Sequence, residues 1–231
     1  MRRIAFFDFD GTLTLKDSSR LCALPSVKLG LLDLRAALGI GAAFCGYKCG
    51  VYPRHKAHLL ALGSFAGKSL DEIRRAIAIL HERVIRHWYS ASMMERVRQH
   101  QAQGDLLVIA TASFNLLPEP LASAWGFDAI IGTELGFAGE VCTGRVVGHV
   151  VETDEKLRLA RRFAQERGVA LDDCSFYSDG ILDLPLMEAV GRPVAVSPCR
   201  RLRRIALQRN WEIVGQSRLL APAAGLRDAA E

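Results

Sequence analysis

Arg3-Ile4-Ala5-Phe6-Phe7-Asp8-Phe9-Asp10-Gly11-Thr12 is the stretch on which the fold turns. A short apolar run ends in two carboxylates and then breaks at a glycine, which reads as a buried strand opening into a turn. Side chains alternate along a strand, so Asp8 and Asp10 are expected on one side just where the strand ends. Two crowded carboxylates repel each other, and burying them is costly unless positive charge lies between them. A divalent cation is the simplest solution, and hard oxygen ligands suit Mg2+. The alternative is that both carboxylates cap a turn into solvent.

Three further stretches repeat the shape. Residues 105–110 run into Thr111-Ala112-Ser113, residues 174–177 into Ser178-Asp179-Gly180, and residues 193–196 into Ser197-Pro198. Helical patterns lie between several of them. Ser69 with Glu72 forms a capping box ahead of a helix from Leu70 to about His87. Residues 116–125, 155–167 and 184–190 are further helices, and the Gly-, Thr- and Val-rich residues 131–148 predict a β-hairpin turning near Gly139. Strands alternating with helices predict an α/β fold, a doubly wound, Rossmann-like parallel sheet. Residues 17–90 are almost wholly helical in pattern and carry no strand signal. They are expected to be a helical cap inserted after the first strand, with residues 1–16 and 91–231 as the core. An insert there overhangs the C-terminal ends of the strands, where open α/β sheets bind ligands.

The second acidic cluster strengthens the cation reading. Asp179 and Asp183 are four apart, about one helical turn, directly after an apolar strand. If both strands lie in one sheet, Asp8, Asp10, Asp179 and Asp183 converge, and such a cluster makes sense around a metal ion. Thr111 and Ser113 offer hydroxyl and backbone N–H groups to phosphate oxygens. Lys156 is one of six lysines and opens a helix, where a mobile point charge suits a phosphate.

Composition narrows the classes. Of 231 residues, 50% are apolar and 24% charged, which is globular and excludes disorder as the overall state. The net charge is +5, but no stretch interleaves arginines with aromatics, so no nucleic-acid partner is expected. Only four apolar residues separate Arg3 from Asp8, too few for a signal-peptide core, and no run approaches the roughly 20 apolar residues of a membrane span. The six cysteines read as reduced thiols in a cytoplasmic protein. Membrane contact stays open at two places, the apolar residues 29–51 and the cluster Arg200-Arg201-Leu202-Arg203-Arg204. A packed cap helix and a solvated helix face are the plainer readings of both. Nothing in the sequence fixes an oligomeric state.

Asp8-Phe9-Asp10-Gly11-Thr12, then Thr111, then Lys156, then Asp179 with Asp183 resemble, in order and spacing, the four motifs of the haloacid dehalogenase-like hydrolases. The helical insert, residues 177–185, residues 193–198 and Asn210-Trp211 resemble the phosphoserine-phosphatase-like branch, subfamily IB. That resemblance implies a Mg2+-dependent phosphoric monoester hydrolase acting on a small phosphorylated metabolite. It makes Asp8 the nucleophile that forms an aspartyl-phosphate and Asp10 the general acid and base. Thr111 and Lys156 would hold phosphoryl oxygens, with Gly11, Thr12 and Ser113 on the substrate side. Mg2+ would sit on Asp8, the Asp10 carbonyl and Asp179, with Asp183 behind them or as a further ligand. Asp17 stands where phosphoserine phosphatases carry a substrate-gripping glutamate, and Arg54 falls near their gripping arginine. The second aspartate of the first motif points to a phosphatase rather than a dehalogenase. A phosphatidylglycerophosphate phosphatase, or a phosphotransferase using the same residues, remains an alternative.

Overall fold

The computed structural model describes residues 3–30, 32–49 and 51–218. Its strands are β1 (Ile4–Phe7), β2 (Leu106–Phe114), β3 (Ala129–Ala138), β4 (Val141–Val147), β5 (Ser175–Ser178), β6 (Arg192–Val196) and β7 (Glu212–Val214). They form one sheet in the order β4-β3-β2-β1-β5-β6-β7, parallel except for the β3–β4 hairpin. The apolar run beginning at Ile4 is therefore the central strand, and all four of its residues are buried because helices cover both faces.

Alternation sorts the side chains. Ala5, Phe7, Leu107, Ile109 and Tyr177 face one side, under α5 (Ala91–Ala102) and α6 (Glu119–Ala124). Ile4, Phe6, Val108 and Phe176 face the other, under α7 (Thr153–Gln165), α8 (Leu184–Ala189) and α9 (Arg200–Gln208). In α9, Leu202 and Ala206 are buried while Arg200, Arg201, Arg203 and Arg204 are exposed, so the arginine cluster is a solvated face. Among the described residues no helix is long and apolar enough to cross a membrane.

The insert between β1 and β2 holds α1 (Ser18–Lys28), α2 (Leu34–Lys48), α3 (Arg54–Gly63) and α4 (Leu70–Arg83). The capping box of α4 forms as expected: the Glu72 amide donates to Ser69 Oγ, and the Ser69 amide donates to the Glu72 carboxylate at 2.7 Å. The helix stops earlier than the pattern predicts, because the chain breaks at Val84 into a separate 3-10 turn over Ile85–Trp88. The segment before α4 is stitched to the hairpin, with the Gly67 amide donating to the Cys142 carbonyl and the Cys142 amide to the Lys68 carbonyl, both at 2.8 Å. A Cβ at Gly144 would lie 2.8 Å from the Ala66 Cβ, and its φ of +71° also calls for glycine.

Two extended linkers, bridged at Thr14 and Tyr89, join insert and core, and the segment after β7 bonds to the second of them. The Leu15 amide donates to the Trp88 carbonyl and the Ser90 amide to the Leu13 carbonyl. The Ala91 amide then donates to the Ser217 carbonyl at 2.7 Å, Ser92 Oγ to the Gly215 carbonyl, and Arg218 Nε to the His87 carbonyl.

A buried polar chain lies under the sheet beside β5. His100 Nδ1 is 2.7 Å from Asp105 Oδ2, and His100 Nε2 is 2.9 Å from the Tyr177 hydroxyl. This fits a neutral ring that donates through Nδ1 and accepts the tyrosine proton at Nε2. Burial lowers the His100 pKa below its ordinary 6.5, against the opposing pull of Asp105. The unfolded chain thus takes up this proton first, and His100 removes stability as pH falls from about 6.5. Wild type is expected to lose melting temperature relative to His100→Gln over that range. Parallel melting curves from pH 7.5 to 5 would exclude this titration.

Candidate active site

The strand carrying the first motif ends at Phe7, one residue before Asp8. Asp10 follows in a tight turn over Phe9–Leu13, with φ −76° and ψ 125°, and Gly11 adopts a φ of +75°. The two carboxylates therefore meet through a turn, not through strand alternation as the sequence suggested. Gly11 is required here for a second reason: a Cβ on it would lie 2.5 Å from Asp179 Oδ2.

β1 and β5 are neighbours, and the Asp8 amide donates to the Tyr177 carbonyl, so the turn after each strand opens at the same point. Lys156, at 2% exposure, comes from the first turn of α7 and lies between two aspartates. Its Nζ is 3.0 Å from Asp8 Oδ1 and 2.6 Å from Asp183 Oδ1. Asp183 is held from its other oxygen by Ser178 Oγ at 2.6 Å. Asp10 is held on both sides, by the Ser18 amide at 2.6 Å and by Ser113 Oγ at 2.7 Å. The Ser113 amide donates to Thr111 Oγ1 at 3.0 Å, and Thr111 is buried.

Electrostatics show the crowding. Burial pushes the Asp8 carboxyl well above the ordinary carboxylate range; Lys156 pulls it down, while Asp183, Asp179 and Asp10 raise it further. Burial and then Asp183 push Asp179 up to about 7. Burial and then Asp17 raise Asp10, against the hydrogen bonds from Ser113 and Ser18. Burial works against the Lys156 ammonium, but the attraction of Asp183 and Asp8 outweighs it and raises the lysine above its ordinary value.

Among the described residues no three His, Cys, Asp or Glu side chains form a ready-made metal cage. The donor set still fits Mg2+, which needs only one or two protein carboxylates and keeps several waters. Asp8, Asp10 and Asp179 supply hard oxygens that mutual repulsion and burial leave short of positive charge. Thr12 Oγ1, buried beside them without a hydrogen-bond partner, is a further oxygen in need of a contact.

The turn and strand ends thus gather Asp8, Asp10, Gly11, Thr12, Thr111, Ser113, Lys156, Asp179 and Asp183. Asp17 is exposed at the mouth, close enough to raise Asp10. Arg54 starts α3, but its side chain lies outside the described residues. Sequence reasoning assigned Ser113 to phosphate, whereas its hydroxyl is committed to Asp10. It also gave no role to Ser178, although that residue sits inside the second acidic motif. Ser113→Ala is expected to lower kcat several-fold, matching the loss of its hydrogen bond to the Asp10 carboxylate, about 1 kcal/mol. An unchanged kcat would mean that the Ser18 amide suffices to hold Asp10.

A parallel sheet whose strand ends gather four aspartates and a buried lysine under a helical insert is the architecture of an α/β hydrolase for phosphate esters. The chain belongs to the haloacid dehalogenase-like hydrolases, whose family model matches residues 5–188. It is 31% identical to the inhibition of morphological differentiation protein of Streptomyces azureus, over 92% of this chain and 78% of that one. It is 30% identical to a histidinol-phosphatase of Neisseria meningitidis, over 93% of this chain and 99% of the other. A Bordetella pertussis protein of unknown function superposes with a TM-score of 0.85 at 32% identity, covering 93% and 98% of the two chains. A phosphoserine phosphatase captured as a phospho-aspartyl intermediate analogue shares the fold, with a TM-score of 0.66 at 16% identity over 94% of each chain. The chain is a phosphoric monoester hydrolase of the phosphoserine-phosphatase-like kind.

Proposed function

We propose that the protein hydrolyses a small phosphate monoester through an aspartyl-phosphate on Asp8, with Mg2+ as cofactor. The observation that carries this reading is the buried Lys156, bridging Asp8 and Asp183. An ammonium has three donors, and two are used here, so the third is available to a phosphoryl oxygen beside the nucleophile. Lys156 engages Asp8 Oδ1, which leaves Oδ2 to attack phosphorus. Asp10, fixed by Ser18 and Ser113, gives its proton to the departing alcohol oxygen and then takes one from the water that cleaves the acyl phosphate. Thr111 and Lys156 hold phosphoryl oxygens, since positioning and charge stabilisation supply most of the catalysis in phosphoryl transfer. Asp183 anchors Lys156 rather than serving as a direct ligand. The carboxylates of Asp8 and Asp179 and the carbonyl of Asp10 would hold Mg2+, which when bound neutralises the aspartates and screens the phosphate charge.

Residues 17–90 act as the cap that selects the alcohol half of the substrate. The similarity to a histidinol-phosphatase along nearly its whole length supports an alcohol that carries an amine. We assign Asp17 to that amine, and Arg54 to a carboxylate where the substrate has one.

A panel of phosphate esters, including histidinol phosphate and phosphoserine, tests the reading with Mg2+ present or chelated. Activity should vanish in excess chelator. Mg2+ at 100 times its Kd should stabilise the fold by about 2.7 kcal/mol. Full activity in excess chelator would remove the metal from the mechanism.

A further inference from the structure

Beyond the aspartates and Lys156, one side chain from the far end of the described chain reaches the catalytic turn. Gln216 Nε2 donates to the Gly11 carbonyl at 2.9 Å and the Thr12 carbonyl at 2.8 Å, with the Thr14 carbonyl at 3.5 Å. The carbonyls of Asp8, Phe9 and Leu13 are served by backbone amides. The Leu13 amide donates to the Asp8 carbonyl, the Thr14 amide to the Phe9 carbonyl, and the Ser90 amide to the Leu13 carbonyl. Carbonyls of Gly11 and Thr12 cannot be reached by a following helical turn, because the chain leaves the turn extended at Thr14. A side-chain amide with two hydrogens fits that pair.

The same residue is tied to the second acidic motif. The Gln216 amide donates to Ser197 Oγ, and the Ser197 amide to the Val214 carbonyl. Ser197 sits at a φ of +39°, a strained value for a residue with a side chain, and two residues on the Cys199 amide donates to the Asp179 carbonyl. The residues that follow Gln216 meet the linker returning from the insert, with the Ala91 amide donating to the Ser217 carbonyl and Arg218 Nε to the His87 carbonyl. One short segment thus bonds to the turn after Asp8 and to the returning linker, and through Ser197 it joins the loop whose Cys199 amide binds the Asp179 carbonyl.

We propose that Gln216 is a positioning residue for catalysis. It sets the backbone of the Asp8–Thr12 turn, and with it the Asp10 carbonyl and carboxylate, relative to Asp179. This rests on the phosphatase reading for its kinetic consequence, but not for its structural one. An error of about 1 Å in such a turn is enough to cost on the order of 100-fold in rate, without removing any catalytic group.

Gln216→Met keeps the length and shape of the side chain and removes both donors, and Gln216→Glu removes them while keeping a polar side chain. Both are compared with wild type by steady-state kinetics, by the Mg2+ midpoint of the thermal shift, and by amide exchange of a peptide spanning residues 8–15. The expected result is a kcat lowered about 10-fold or more with KM little changed. The Mg2+ midpoint rises several-fold and exchange in the turn accelerates, while the metal-free melting temperature stays near that of wild type. Wild-type midpoint and wild-type exchange in both variants would overturn the proposal. So would a lowered melting temperature with kcat and midpoint unchanged, since that is a purely structural role. A wild-type protein that hydrolyses none of the esters would sink the reading of the site, and exchange of the turn would then decide the Gln216 assignment by itself.

Discussion

Asp8→Asn is expected to abolish ester hydrolysis, by at least about 10⁴-fold, the scale on which removing an activated nucleophile acts. An amide oxygen cannot form the acyl phosphate, and no neighbouring group replaces it, because Asp10 is held by Ser18 and Ser113 and Asp183 by Lys156 and Ser178. The fold should not suffer. Burial and three neighbouring carboxylates raise the Asp8 pKa despite Lys156, so at neutral pH its ionised form is a net burden on the metal-free protein. Asparagine removes that charge with almost no change of shape. Turnover is measured beside the thermal melt in chelator. A folded variant with near-normal turnover would displace Asp8 as nucleophile, and a large fall in melting temperature would show that the Asp8–Lys156 contact outweighs the repulsion.

Lys156→Met is expected to fail in both respects. It removes the one cation between Asp8 and Asp183 at a position with 2% exposure. Breaking a buried pair from one side typically costs about 3–5 kcal/mol, because the remaining charges stay buried without a partner. The deficit depends on pH with a definite sign. The Asp8 carboxyl titrates well above 3.8, and below that raised value it is neutral and needs no partner. The stability difference between wild type and Lys156→Met should therefore be largest above the raised value and shrink as pH falls through it. Urea melts over a series of pH values make the comparison, and a deficit that stays constant throughout would mean that the lysine stem contributes only by packing. Activity should fall in parallel at every pH, since the phosphoryl oxygen loses its ammonium.

Much of this site was legible before the fold was known, where a local signal existed. Short apolar runs ending in Asp8, Thr111 and Asp179 marked three adjacent strands, because buried parallel strands must be apolar and open α/β sheets place chemistry at their C-terminal ends. The Ser69–Glu72 capping box was readable since both partners lie within one turn. What escaped had no local signature. Strand β7 is three residues long and exists because β6 offers it an edge. Strand β3 looked like half of a hairpin, yet Ala129–Ile131 first pairs in parallel with β2, a partner about 20 residues upstream. Ser113 sits in the right place for phosphate, and only the contact with Asp10 shows that its hydroxyl is already engaged. Alternation along a strand predicted that Asp8 and Asp10 share a side, whereas the strand ends at Phe7 and the turn beginning at Phe9 carries Asp10.

The bond from Gln216 to Gly11 spans 205 residues, and that span has a consequence for how the protein is made. A ribosome adding about 5–20 residues per second releases the Asp8–Thr12 turn roughly 10–40 s before its clamp. Only once Asp183 has been added does the nascent chain carry every candidate catalytic side chain, and it then still lacks β6, β7 and the segment that holds Gln216. If Gln216 positions the turn as proposed, a chain halted between Val214 and Gln216 would hold the whole sheet with a slackened turn, and activity would follow the synthesis of this segment.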